Sequence, residues 1–570
     1  MSDADGFSEA QKQYLDGFLS GLLAKHSGGA GAAAPADIHR EAQDRFIAAG
    51  KALTPEDQAK RQGNPLDMWD EIRANAAAAR FPKGIDVFRH KFHGLFYSAP
   101  AQDAFMCRLR MPNGILSAHQ FRGIADLAER LADGHTDITT RANLQLRGIA
   151  AANSLAVLTG IQDLGLVSRG AGADNIRNIT GSPTAGIDPR ELFDTRPLAR
   201  ELHYMILNHR ELYGLPRKFN IAFDGGGSIA VLEDTNDIGF SAVAAGGEIL
   251  FRVALAGITG HGDHARDTGV FVAPEQCVAA AVAIVRVFIA HGDRTDRKRA
   301  RLKYLIDQWG LEKFLSEVEA LLPFKLRHVP ETALMPRPPA SKHGHLGVHR
   351  QRQPGFNYLG VTVPVGHLSA RQMRGVADIA DRFGSGTLRL TVWQNLLISD
   401  VPDASVADAV AGLAALGFGV AASNVRGGLV ACTGNTGCKF ALGDTKRDAL
   451  AVADHLERAL TLDRPIAIHV TGCPHSCAQH LIGDVGLLAV KIPQGDDLID
   501  GYTIAVGGGA GEERAIGRDI FPNVPRAEVP KRVETIMRAY LAHRGGGESF
   551  HDFARRHEIA ELRALAGDAS

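Results

Sequence analysis

Cysteine is scarce in this chain: six residues among 570. That is far too few for a disulfide scaffold, so any clustering of them points to a metal or to catalysis. Net charge is scarce as well. The formal value is −1, which leaves no global field to draw the chain to nucleic acid or to an anionic membrane, and charge-based recognition must be local. Long apolar runs are missing: the longest, Cys277–Ala290, is interrupted by Arg286 and falls short of a bilayer's thickness. The opening MSDADGFSEAQ is acidic and lacks the apolar centre of a secretory signal. These absences predict a soluble, cytoplasmic protein with no membrane or nucleic-acid partner. No G-x-G-x-x-G opens a βαβ unit either. Gly225–Gly227 and Gly507–Gly509 read as turns, so no flavin or nicotinamide domain is expected.

What is present is an ordinary globular composition, 45% hydrophobic and 22% charged, long enough for several domains. The chain also repeats itself. Pro112–Arg130 (PNGILSAHQFRGIADLAER) and Pro364–Arg382 (PVGHLSARQMRGVADIADR) share twelve of nineteen positions at a constant offset of 252 residues. The register runs on to Asn143–Leu144 and Asn395–Leu396. Fainter echoes follow, Asp174–Arg177 with Ser423–Arg426 and Ile221–Phe223 with Ile466–Ile468. Each repeat reads as strand, turn, helix, strand: Phe105–Met111 is strand-like, Ser117 caps a helix, and Ile138–Ile149 returns to β alternation. An internally duplicated α+β fold follows, with its functional site expected where the halves meet.

The first 90 residues read as a peripheral arm, two amphipathic segments flanking the Gly/Ala-rich linker Ser27–Ala36. Pro330–Pro339 carries four prolines and marks the boundary between halves. The expected organisation is an arm and linker over 1–90, half-domains over 91–165 and 345–410, and larger domains over 166–335 and 420–570.

Four cysteines cluster in the second half: Cys432, Cys438, Cys473 and Cys477, spaced C-x5-C, thirty-four residues, then C-x3-C. Glycines surround them in TGNTGC and TGCPHSC, permitting close backbone approach and N–H donation to sulfur. Four thiolates suit a [4Fe–4S] cube. A structural zinc site competes, although such sites usually pair cysteines as C-x2-4-C; four unrelated core thiols are the third reading. Cys107 and Cys277 lie alone on apolar segments and read as core.

The pair C-x5-C and TGC-P-x-x-C resembles the signature of siroheme-containing nitrite and sulfite reductases, over roughly residues 90–560. The resemblance implies a duplicated fold with ferredoxin-like half-domains and mixed-sheet siroheme and iron–sulfur domains. It implies siroheme and a [4Fe–4S] cluster as cofactors, the cluster on Cys432, Cys438, Cys473 and Cys477, with Cys477 shared with the siroheme iron. His475 stands where the family often has Asn. A polycarboxylate macrocycle and an anionic substrate need fixed cations, Arg above all for bidentate pairing. By resemblance Arg108 in FMCRLRMPNG and Arg177 in DNIRN face the substrate, with Lys218 and Asn220 of LPRKFN, which share a side if that segment is extended. In TTRANLQLRG, alternation puts Arg141, Asn143, Gln145 and Arg147 on one face, and Arg141, Gln145 and Arg147 are assigned to the cofactor. Arg294, Arg297, Lys298 and Arg301 fall at i, i+3, i+4 and i+7, a helical stripe; Arg294, Lys298 and Arg301 are assigned to siroheme carboxylates. The family's Gly-Phe-Asn…Val-Gly-Gly stretch is not matched by Leu250–Gly260, and its contacts are not carried over.

Sulfite reductases of the family tend to Lys-Phe-Lys at the substrate motif and nitrite reductases to Lys-Phe-Asn. Here it is Lys218-Phe219-Asn220. A monoanion needs less positive charge than a dianion, so an amide can replace one cation while keeping a donor. The expected activity is six-electron reduction of nitrite to ammonium by a monomer drawing on reduced ferredoxin or a flavodoxin. Alternatives are an assimilatory sulfite reductase, the related oxygenase-like enzyme of cobalamin synthesis, and a non-catalytic iron–sulfur carrier or sensor.

Overall fold

The computed structural model describes residues 37–97, 103–336, 339–421 and 423–567; the linker Ser27–Ala36 lies outside them. Four five-stranded sheets order the chain. Two are antiparallel and trade a strand. Leu95–Tyr97, Phe105–Arg108, Leu144–Ile149 and His135–Ile138 take their fifth member, His367–Ser369, from the second repeat. Gly347–Arg350, Phe356–Val361, Leu396–Pro402 and Thr387–Leu390 take Ile115–Ser117 from the first.

The identical residues explain the exchange. Each repeat runs from a short strand directly into a capped helix, Ala118–Leu131 or Ala370–Phe383, with Ser117 and Ser369 as N-caps in reciprocal boxes with Gln120 and Gln372. The two helices pack against one another, which carries each leading strand to the edge of the other sheet. Pseudo-symmetric ion pairs flank that contact: Arg122 with Asp378 and Asp381, Arg374 with Asp126 and Glu129. Solvent-exposed pairs of this kind add specificity more than stability.

The other two sheets are mixed and share one topology. Thr180–Gly181, Ile221–Asp224 and Ile238–Ala245 run parallel, then Glu248–Leu255 and Arg266–Val272 antiparallel. Leu429–Ala431, Ile468–Thr471, Val485–Gln494, Asp497–Val506 and Arg518–Pro525 repeat that order. Ile221 pairs with Ile238 as Ile468 pairs with Val485. The partner of Ile221 is therefore Ile468, two residues beyond the match that the sequence echo gives.

The stretch Pro274–His291 is, among the described residues, the one helix long and apolar enough to cross a membrane. It is the central helix of the first mixed-sheet core instead, packed with Phe219, Phe240 and Phe251.

Residues 37–90 are not the peripheral arm expected of them. Helices Ile38–Ala48 and Pro55–Gln62, capped by Asp37 and Thr54, dock on the first mixed-sheet unit. Ile38–Ala48 lies along Cys277–His291, and Asp57 and Lys60 are buried against Arg294 and Asp174.

Candidate active site

Where the halves meet, a cavity of about 560 Å³ opens. Its walls come from the first half-domain (Arg108, Arg141, Gln145), the first mixed-sheet unit (Arg177, Lys218, Asn220) and the cysteine-bearing loops (Cys432, Cys477). Among the described residues, eight Arg and Lys side chains reach it against one carboxylate, Asp137, so its natural occupant is anionic.

The local sequence explains the placement. Arg108 ends strand Phe105–Arg108 and lies over the Phe96 ring at 4.6 Å. Phe219 is buried and bridges to Ile176, which turns its neighbours Lys218 and Asn220 together into the cavity. Asn220 is held through its backbone N–H, which donates to Asp237 Oδ2 at 2.8 Å. Arg177 donates from Nη2 to the Ala173 carbonyl at 2.8 Å, leaving Nη1 buried without a partner. Arg141 reaches the Asn236 amide oxygen and the Ile221 carbonyl, and its Nε is likewise unpaired.

The electrostatics agree. Burial lowers Arg177 well below the ordinary guanidinium range, and the charges of Arg108 and Arg217 lower it further. Burial brings Arg108 to about 10 and Arg141 to about 9. Lys218 falls to about 7, through burial first and the Arg301 charge second. Cations held so close, with unpaired donors, are stabilised by a bound anion of several charges.

The basic run 294–301 is not the helical stripe its spacing predicts. The helix starts only at Leu302, and the preceding turns send the side chains different ways. Lys298 and Arg301 line the cavity, Arg301 also bound to Asp237 Oδ2 at 2.7 Å. Arg294 does not join them. It is 1% exposed, with Nη1 on Asp57 Oδ1 at 2.6 Å and Nη2 on His39 Nδ1 at 3.0 Å, so it ties the N-terminal helices down, away from the residues that line the cavity.

The alternating face predicted for 141–147 is also only partly formed, because the strand begins at Leu144. Asn143 is buried and donates to the Leu109 carbonyl. Arg147 turns toward the cysteine loop, with Nε on Asp137 Oδ2 at 2.7 Å and Nη2 on Thr433 Oγ1 at 2.5 Å. Arg297 of the same basic run also lines the cavity, as does Arg217, whose adjacency to Lys218 is its one signal in the sequence.

The four cysteines stand on two loops. Gly434 allows the first to fold on itself: its φ is +73°, and a Cβ there would lie 2.7 Å from the Thr445 nitrogen. Gly472 N–H donates to Cys432 Sγ at 3.2 Å. Cys473 is raised to about 11, by burial and by the neighbouring charges of Cys477, Cys438 and Cys432, which places all four sulfurs within electrostatic reach of each other.

Four thiolates on one zinc, at Zn–S of about 2.3 Å, would stand about 3.8 Å apart. Among the described residues only His135, Asp137 and His367 bring three such donor atoms within 4.8 Å, and Asp137 there is already paired with Arg147 and Lys446. No three of the four sulfurs lie that close together among the described residues, wider than one zinc needs; four separated thiolates are the donor set of a [4Fe–4S] cube. Cys432 and Cys477 border the cationic cavity, so the residues that would hold the cluster and those that would hold the macrocycle share a wall.

A profile described as the nitrite and sulphite reductase 4Fe-4S domain matches residues 172–326 and 421–569. The nitrite/sulfite reductase ferredoxin-like half domain matches 99–164 and 349–416. The chain belongs to the nitrite and sulfite reductase family. Within it, the chain is 35% identical over 504 residues to a protein of Synechococcus elongatus named ferredoxin--nitrite reductase, covering 86% of this chain and 97% of that one. It is 39% identical over 446 residues to one of the same name from Leptolyngbya laminosa, covering 77% and 86%. The solved structure of Mycobacterium tuberculosis NirA superposes with a TM-score of 0.84 at 29% identity, covering 91% of this chain and 99% of that one. Family membership implies siroheme and a [4Fe–4S] cluster, and the cation-lined cavity beside four spaced thiols fits both.

Proposed function

We propose that this chain is a ferredoxin-dependent nitrite reductase, converting nitrite to ammonium with six electrons and eight protons. The observation that carries the reading is Lys218 and Asn220 facing one cavity with Arg108 and Arg177, bordered by Cys432 and Cys477. The named relatives point the same way.

When bound, siroheme and the cluster supply the electron-transfer chemistry. Cys432, Cys438, Cys473 and Cys477 would hold the cube, with Cys432 and Cys477 on the side that borders the cationic cavity. Arg141, Gln145, Lys298 and Arg301 face the macrocycle's carboxylates, while Arg147 holds the Cys432 loop through Thr433. Arg108 and Arg177 place fixed guanidinium charge where nitrite oxygens gather electron density, a stabilisation that needs no rearrangement during reaction. Lys218, whose charge a bound anion sustains, can give a proton from Nζ to an oxygen about to leave. Asn220 donates without adding a second mobile charge.

Beside Cys438, Lys439 and the half-exposed Phe440 offer an acidic donor protein a cationic and apolar foothold. Ferredoxin is the donor proposed, with flavodoxin able to use the same surface. The enzyme acts as a cytoplasmic monomer.

Steady-state reduction of nitrite and sulfite side by side, with reduced methyl viologen, tests the assignment. Wild type favours nitrite, and Asn220→Lys shifts the kcat/KM ratio toward sulfite by about tenfold, roughly 1.4 kcal/mol of differential transition-state binding. A ratio unmoved by the substitution removes Asn220 as discriminator; a wild-type preference for sulfite overturns the reading.

A further inference from the structure

The duplicated frame builds a second cavity, of about 360 Å³, at the place that matches the first. The correspondence is close. Asn220 N–H donates to Asp237 Oδ2 at 2.8 Å, and its counterpart Ala467 donates to Asp484 Oδ2 at the same distance. Arg217 lines the first cavity and Arg464, in the equivalent position, the second. Loop 258–261 walls the first and 510–513 the second, each beside a bridge, Ile258–Asp263 and Gly509–Ala515. Leu232, held in the left-handed region at φ +60°, lines both and separates them.

The charge is reversed. Pro465 stands where the first cavity has Lys218. The counterpart of Arg177, Arg426, is turned away onto Asp454 and Glu457. The loop that carries Thr259–His261 in one half carries Glu512 and Glu513 in the other. Asp224, Glu233, Asp484, Glu512 and Glu513 line the second cavity against two cations, Lys342 and Arg464. Lys342 lies on Glu513 and 3.9 Å from Asp484, yet burial and the Glu513 charge still leave the Asp484 carboxyl raised. Five carboxylates against two cations leave the lining net acidic.

A separate feature points to a hydrogen-bond donor as the missing occupant. His343 lines the cavity, and apart from an approach to the Gly427 backbone neither buried ring nitrogen has a partner. Burial holds the imidazole neutral, at about 3, so a ring lone pair is available to accept an N–H.

We propose that this second cavity binds a small ammonium-type cation, either the ammonium ion or the primary ammonium group of a small molecule. Excess carboxylate charge supplies the attraction, and the neutral His343 with the Asp484 and Glu513 oxygens supplies acceptors around a tetrahedral donor. The site stands whether or not the first cavity reduces nitrite.

Thallium(I), an ammonium surrogate, soaked into crystals of the cofactor-loaded protein gives an anomalous peak among His343, Asp484 and Glu513. In solution, ammonium chloride raises the thermal midpoint of the loaded wild type above that in tetramethylammonium chloride at matched ionic strength. The rise is lost in the Glu512→Gln, Glu513→Gln double variant, whose changes sit on a solvent-facing loop. Methylammonium acts like ammonium if the ligand is a primary amine, and fails to if it is the free ion; either pattern supports the site. Thallium bound only elsewhere, or an ammonium response equal in variant and wild type, overturns it.

Discussion

Lys218 is buried beside Arg301, Arg217 and Arg177, and burial above all brings its ammonium to about 7. An anionic cofactor in the cavity restores that charge, so binding takes up a proton wherever the free lysine has lost its own. Below about pH 7 Lys218 is charged with or without the cofactor, and its contribution to affinity is complete. As pH rises from there toward the ordinary lysine range, affinity falls by up to ~1.4 kcal/mol per pH unit for this one group. Arg141, at about 9, acts in the same direction higher up. The gap in thermal midpoint between cofactor-loaded and cofactor-free protein is therefore widest near pH 7 and smaller at pH 9. An unchanged gap would show that Lys218 does not answer to the cofactor. At the same scale, Cys477→Ser abolishes the spectroscopic coupling between cluster and haem, and a variant with the wild-type spectrum would move the shared ligand to another cysteine. Lys218 and Asn220 stand two residues apart, a spacing that predicts a shared side, and the buried Phe219 between them turns both toward the cavity. The destination of Arg294 was not, since Asp57 and His39 lie more than 200 residues away in the chain.

At the scale of elements, the exchanged strands and their capped helices hold the halves together. Ser117 and Ser369 accept from the Gln120 and Gln372 backbone N–H groups at 3.2 Å each. Replacing either by Ala costs about 1 kcal/mol, so Ser117→Ala and Ser369→Ala lower the urea midpoint by similar amounts. A shift from one and none from the other would show that the halves do not unfold together. The repeat itself was plain in the sequence, because its helix face and cap recur residue for residue. The exchange was not, because nothing in a three-residue strand says which sheet it joins; the packing of the two helices decides that. The run 294–301 departs from the helix its spacing predicts for a related reason. Spacing of i, i+3, i+4 and i+7 in eight residues fits turns as well as a helix, and hydrogen bonds donated by the following backbone N–H groups to the Asp293 and Asp296 carboxylates favour turns.

Across the whole molecule, one frame used twice yields two cavities of opposite charge, the first closed by thiols of the second half and by cations of the first. The N-terminal helices complete it: Arg297, at the cavity wall, is paired with both Asp174 and Glu56. That contact depends on tertiary packing that no periodicity in the first 90 residues records. The central claim is that four spaced sulfurs hold a cube next to a cation-lined macrocycle site. Iron and acid-labile sulfide, assayed on the protein purified without oxygen, test it most directly. The account predicts about five irons and about four sulfides per chain, four irons in the cube and one in the macrocycle. Stoichiometric zinc with neither iron nor sulfide would contradict it.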